Sequence, residues 1–522
     1  MAKAYFVGSG IASLAGAAYL IRDGHFPGDD IHIFEQSAIT GGSLDGAGSP
    51  ETGYTLRGGR MLNFSYLCTY DLLSFIPSLD NPSRTVKDEM LEFNERVKTH
   101  SNSRLVKHGQ KLDTSHMGLS NKDRLDLLNI MIHSEESLGT KRIDECFEPS
   151  FFKTNFWLMW ATMFAFQPWH SAVECKRYLH RFIHEFPRIN TLAGVDRTPY
   201  NQYDSVVLPL TQWLQGQGVH FELQGQVTNL GFKTSTSQTT VERIQYVRDA
   251  QSQELELGAG DLVFVTNGSM TANSRFGSMT SPAPMNTSGL TDGAWALWDT
   301  IARGRPEFGR PAVFHERIGE SYWPSFTATF RDPTFMRLEQ QFTGNAPGTG
   351  GLVTFVDSNW LMSIVVGYQP HFRNQPPGVY VCWGYGLSPD QLGNHVQKKM
   401  TDCTGAEILT ELCYHLGFMD HLPLILDTST CIPCTMPFIT SQFLTRAPGD
   451  RPQVVPEGST NLAFISQFCE IPEDVVFTVE YSVRAAMTAV YTLLHLDKEP
   501  PPIYKGGQDI RVLFNAVTTA LR

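Results

Sequence analysis

The stretch AYFVGSGIASLAGAAYLIRDG, residues 4–24, with IHIFEQ at residues 31–36, constrains the fold most. A short apolar run enters two glycines one residue apart. An alanine-rich segment with helical periodicity follows, and then a second apolar run that ends in an acid. This order predicts strand, tight turn, helix, strand: a βαβ opening with parallel strands and a crossover helix. Gly8 suits the tight turn, and Gly10 lets the backbone approach a pyrophosphate at the helix N-terminus. Ser13 holds the third small position, where helix and strand pack closely. Glu35 ends the second strand, where a carboxylate can accept ribose hydroxyls. A dinucleotide is the expected ligand.

The chain has 522 residues, room for more than one domain. The predicted fold class is α/β: a Rossmann-like FAD-binding domain split along the chain, an inserted α+β substrate domain, and a helical C-terminal segment. Residues 1–80, 200–275 and 430–495 are assigned to the first, 81–199 and 276–429 to the second, and 496–522 to a tail helix. GLVTFVDS, WLMSIVVGYQ and GVYVCWGYGL read as three strands of a second sheet. Asn461–Gln467 reads as a strand returning to the first sheet. Residues 270–300 read as loop-rich.

Two features favour FAD over NAD. Gly42 and Ser43 follow Glu35 closely enough to close a second backbone loop over the diphosphate. The segment SQFCEIPEDVVFTVEYSVRAA has the loop-then-helix layout that caps a flavin, with Glu480 early in the helix. Glu480 reads equally well as an acid complementing the helix dipole.

A net charge of −12 argues against sequence-independent nucleic-acid binding. The nine cysteines are scattered, and no secretory leader is legible, so reduced thiols and a cytoplasmic location are expected. Cys431 and Cys434 form CIPC, read as two buried thiols near a turn; no metal site is assigned. NFWLMWATMFAFQPWH, residues 155–170, holds six Phe or Trp and no formal charge. Its polar interruptions favour a buried helix over a membrane span.

Several motifs together resemble the oleate hydratase family, also called myosin-cross-reactive antigens. RGGRM at 57–61 resembles that family's RGGRE loop. The aromatic stretch continuing into SAVECKRYLHRFIH, RTPYNQYDS at 197–205, GYQPHF at 367–372, CTMPFITSQF and FISQFCEIPEDVVFTVEYSVRAA match in order. The resemblance spans residues 5–490. It implies FAD binding and addition of water to an isolated cis double bond of a free unsaturated fatty acid. The aromatic helix is then expected to line or back a channel for an alkyl chain. Arg57, Gly58, Gly59 and Arg60 are expected beside the isoalloxazine.

The resemblance makes Tyr178 the proton donor. It also exposes two departures. The family's water-activating glutamate is Met61 here, and a thioether cannot act as a general base; Asn63, Tyr66 and a reoriented flavin edge are the candidates to hold water instead. The family's head-group segment TVNRQPH is replaced by residues 365–371, so Val365 and Gly367 stand where Thr and Asn would bind a carboxylate. His371 survives, and Gln202 matches another polar contact. Rival readings are a flavin oxidoreductase of the amine-oxidase or desaturase type and a non-catalytic fatty-acid-binding flavoprotein. The tail, with Lys505, Arg511 and Arg522, is expected to dock on the protein or touch a membrane surface. A monomer or a homodimer fits the sequence.

Overall fold

The computed structural model describes residues 2–59, 61–235, 237–286 and 293–520. Arg60 and Arg522 lie outside the described residues.

Strand β1 (Ala4–Val7) is buried along its whole length. That is the signature of a parallel sheet covered on both faces. It runs beside β2 (Ile31–Glu35) on one side. β3 (His220–Leu223) extends the sheet beyond β2. On the other side of β1 lies β4 (Leu262–Val265), and beyond it β5 (Leu462–Phe464). All four pairings are parallel, in the order β5-β4-β1-β2-β3. The Rossmann-like core is therefore assembled from three distant parts of the chain, and the strand expected at 461–467 does return to it. Helix α1 (Ile11–Arg22) crosses from β1 to β2. Its Gly16 is needed for close packing: a Cβ there would lie 2.6 Å from the Phe6 ring.

A second sheet of eight strands is antiparallel except where Leu352–Phe355 runs parallel to Leu105–Lys107. The three expected strands are Leu352–Phe355, Met362–Val365 and Tyr380–Gly386. Cys431 and Cys434 lie within the strand Ser429–Met436, which runs into the turn at residues 437–440. Both are buried free thiols, and burial pushes Cys434 up to about 12. Among the described residues no cluster of His, Cys, Asp and Glu could hold a metal. The loop-rich reading of 270–300 misses the helix Gly293–Ala302.

The aromatic stretch forms α2 (Asn155–Phe164), of 10 residues. Thr154 caps it, accepting from the Trp157 amide at 3.1 Å. Ala165 then turns left-handed with φ 60° and stops it. No helix among the described residues is long and apolar enough to cross a membrane. α3 (Ala172–Phe182) follows, and α4 (Val479–Leu493) packs back against α1. The C-terminal helix α5 (Ile510–Ala520) docks on the protein. Arg124 Nε donates to the Ala520 carbonyl at 2.6 Å, and Tyr504 packs edge-on against His184.

Candidate functional site

A cavity of about 480 Å³ runs from the β1–α1 turn into the apolar interior. At its outer end stands a cradle of backbone. Gly8 has φ +93°, a conformation few side chains tolerate. A Cβ on Gly10 would meet nothing within 4 Å, so that face is open. Gly42, with φ +56°, approaches so closely that a Cβ there would sit 3.1 Å from Gly10 Cα. α1 has neither a side-chain cap nor an acid in its first turn. Its leading N–H groups and the positive end of its dipole therefore remain available to an anion.

Glu35 lines the same cavity. Its Oε2 accepts from the Ser9 amide and hydroxyl at 3.0 and 2.6 Å, and its Oε1 from the Ser37 amide and hydroxyl at 2.9 and 2.8 Å. These bonds fill the carboxylate's usual four acceptor positions. A ribose hydroxyl would have to take one over. The Ser37 hydroxyl can yield, because it also reaches the Ile39 carbonyl at 2.8 Å. Ser43 Oγ lies 2.9 Å from Thr271 Oγ1. Arg57 fastens the loop: it donates to Asp45 at 2.9 Å, to the Thr271 carbonyl at 3.0 Å and to the Gly42 carbonyl at 2.9 Å. Gly58 and Gly59 continue the wall. The residues present thus fit a dinucleotide diphosphate.

Ser13 and Glu480 do not line the cavity. Ser13 is fully buried, 3.2 Å from Thr266 Oγ1, and serves helix–strand packing. The expectation that Glu480 faces the flavin is corrected. Its carboxylate accepts from the amides of Cys68 and Thr69, from the Thr69 hydroxyl and from Arg484. It caps the helix Leu67–Leu73 from across the fold.

The interior end is apolar. Met163, Phe164, Ala165 and Phe182 line it, so the tail of α2 forms wall while Trp160 packs behind. Tyr178, on α3, is 1% exposed and borders the cavity. Phe164 and Phe166 meet its ring edge-on at 4.9 and 5.0 Å. Its hydroxyl donates to the Val476 carbonyl at 2.6 Å. Burial pushes this phenol well above its ordinary pKa; Tyr66, Glu174 and Asp474 add to the shift, and Arg181 opposes it. The group stays protonated at neutral pH.

Met61 lies in the wall where the family motif would put a glutamate. Among the described lining residues the only carboxylates are Glu35 and Asp45. The first is held by Ser9 and Ser37, the second is paired with Arg57. Asn63 is fully engaged: its amide donates to Glu185 and the Gly194 carbonyl, and its oxygen accepts from the Ser65 amide. Tyr66 also lines the cavity, and burial pushes its phenol well above the ordinary range, so it stays protonated. Of the two side-chain candidates, Tyr66 is the one with a polar group to offer.

Gln202, Gly367 and His371 line a second, much smaller cavity of about 30 Å³. Gly59, Met61, Val365 and Trp383 border both cavities and so form the partition. A Cβ on Gly367 would lie 2.6 Å from His371 Nδ1, so the ring occupies the space a side chain at 367 would need. Desolvation, with Arg197 beside it, pushes His371 down to about 4. It is neutral near pH 7. Sequence reasoning passed over Arg197 and Trp383. Arg197 opens a quoted motif, but nothing in the local sequence says that it is buried without an acid.

A family model described as the MCRA family matches residues 1–491. The chain is 40% identical to an oleate hydratase from Streptococcus pyogenes serotype M49, over 98% of this chain and 89% of that protein. It is 36% identical to a linoleate hydratase from Lactiplantibacillus plantarum, over 94% and 93%. Among solved structures, cyclohexylamine oxidase from Brevibacterium oxydans IH-35A superposes with a TM-score of 0.54 at 12% identity, covering 95% of this chain and 99% of that one. PF1083 from Pyrococcus furiosus does so with a TM-score of 0.51 at 12% identity, with 95% and 99% coverage. These two likenesses concern the fold alone.

Proposed function

Because the chain belongs to the MCRA family, we propose that it hydrates an isolated cis double bond of a free unsaturated fatty acid, with FAD as a non-consumed cofactor. The observation that carries this reading is that the glycine cradle and the buried Tyr178 border one cavity, whose inner wall is apolar. Two relatives named as hydratases, of oleate and of linoleate, support it.

The roles follow from the side chains. Gly8, Gly10, Gly42, Ser43 and Glu35 hold the dinucleotide, and Arg57 with Gly58 and Gly59 shapes the loop beside its ring; Arg60 belongs to that loop by sequence. FAD, when bound, supplies a rigid ring that orders the site and, if reduced, negative charge beside it. Aromatic walls hold the alkyl chain and exclude bulk water. Tyr178 releases its phenolic proton to one alkene carbon. The oxygen of a water held by Tyr66 bonds to the other carbon, and that water's surplus proton returns to Tyr178. Net, one water is added and no electrons move. Met61 takes no proton and serves as wall. Gln202 and His371 receive the carboxylate.

The test is anaerobic incubation with oleate, FAD and a reductant in heavy-oxygen water, followed by mass spectrometry of the lipid. A hydroxystearate carrying one heavy oxygen is expected. Unlabelled lipid, with oxidised FAD bleached by oleate in a parallel anaerobic incubation without reductant, would overturn the reading in favour of an oxidoreductase. No product and an unchanged flavin would overturn it in favour of a binder.

A further inference from the structure

The small cavity holds a buried cation and no carboxylate. Arg197 is 8% exposed, and its Nε and Nη2 have no hydrogen-bond partner among the described residues. No Asp or Glu lines that cavity. Desolvation alone pushes the guanidinium down to about 10, with no carboxylate countering the effect. His371 Nδ1 and Trp383 Nε1, both on residues of the same lining, are likewise buried without partners. A buried guanidinium with no countercharge is among the most costly groups a protein can hold. The unpaired Arg197 and Trp383 donors border one small space and call for an acceptor that the described residues do not supply.

We propose that Arg197 is the countercharge for the substrate carboxylate, in place of the side-chain anchors absent at Val365 and Gly367. This rests on the fatty-acid reading above and adds to it a specificity-determining residue. The space suits the group. A cavity of about 30 Å³ holds roughly two water-sized oxygens by the same measure, which is what a carboxylate presents. A planar guanidinium offers the two parallel N–H bonds a carboxylate accepts best. The partition residues Met61 and Val365 face both cavities, so an alkyl chain leaving the head group passes between them into the larger one. The ligand class is therefore an anionic, carboxylate-ended chain; an ester or alcohol of equal length would leave the guanidinium unpaired.

The test measures binding of stearate, which has no double bond to hydrate, and of methyl stearate. Both are titrated below their aggregation concentrations into FAD-loaded wild type, Arg197→Gln and Arg197→Lys. Arg197→Gln is expected to weaken stearate by on the order of tenfold to hundredfold and methyl stearate by less than about threefold. Arg197→Lys is expected to restore most of the acid-over-ester preference. Without ligand, Arg197→Gln is expected to melt no lower than wild type, because it removes an unpaired buried charge, while the melting shift induced by stearate shrinks. Equal losses for acid and ester, or none, would overturn the assignment. So would a wild type that binds the ester as tightly as the acid, a result that does not depend on either variant folding. The two readings fail separately. Arg197-dependent stearate binding without labelled hydroxystearate would remove the hydratase and keep the carboxylate site. Labelled product with unchanged acid preference in Arg197→Gln would do the reverse.

Discussion

Tyr178→Phe tests the proton donor with little disturbance of the fold. The substitution deletes one oxygen and keeps a ring that packs against Phe164, Phe166 and Phe443. What it removes is the bond from the hydroxyl to the Val476 carbonyl, and both residues are buried. An orphaned buried acceptor costs about 1–3 kcal/mol, so the variant should melt several degrees lower but remain folded. The catalytic effect should be much larger. Loss of a positioned general acid lowers kcat by about 10²–10⁴, or roughly 3–5 kcal/mol of barrier. KM for oleate should stay within about twofold, because the hydroxyl adds nothing to ground-state binding of the chain. The assay is initial-rate hydroxystearate formation by mass spectrometry, with stability from calorimetry on the same preparation. A rate within about threefold of wild type, with the expected fall in melting temperature, would remove Tyr178 from the chemistry and leave it as packing.

Further outcomes follow from the same geometry. Gly42→Ala places a Cβ 3.1 Å from Gly10 Cα and should raise the FAD dissociation constant about tenfold, read by flavin fluorescence. Glu480→Ala should cost on the order of 3 kcal/mol in thermal unfolding by leaving Arg484 and two amides short of an acceptor, while the FAD affinity of the folded protein holds. His170 is fully buried, accepts from the Gln167 amide, and is pushed down to about 3 by desolvation. Its folded pKa lies below the unfolded one. Its contribution is therefore complete above about pH 6.5 and is lost as pH falls toward 3, by up to about 4–5 kcal/mol across that window. Denaturant titrations at several pH values should show that loss, and His170→Gln should flatten it.

Local physics made part of this protein legible without coordinates. The βαβ opening is written in short-range terms: a buried apolar run, glycines where φ is positive, and small residues where helix meets strand. The aromatic run was readable as a buried helix for the same reason, since uncharged, bulky side chains leave few alternatives. Met61 was visible as a departure because a motif has fixed positions. Glu480 was not legible. An acid early in a helix looks the same whether it faces a ligand or caps a helix some four hundred residues away in sequence. Cys431 and Cys434 were legible as buried thiols, but not as members of one strand of the large sheet, since strand pairing depends on distant segments.

Sequence by itself determined the Rossmann-like core, the split of its strands along the chain and the residue types of the cradle, because those depend on periodicity and on backbone angles that few residues can adopt. Only the tertiary structure decided which charges are left unpaired. Arg197 carries no local mark of its isolation. Whether a guanidinium meets an acid, water or nothing depends on which distant segments close around it. Here that closure brings Arg197, Gln202 and His371 around one small space and leaves Nε and Nη2 of Arg197 without an acceptor among the described residues.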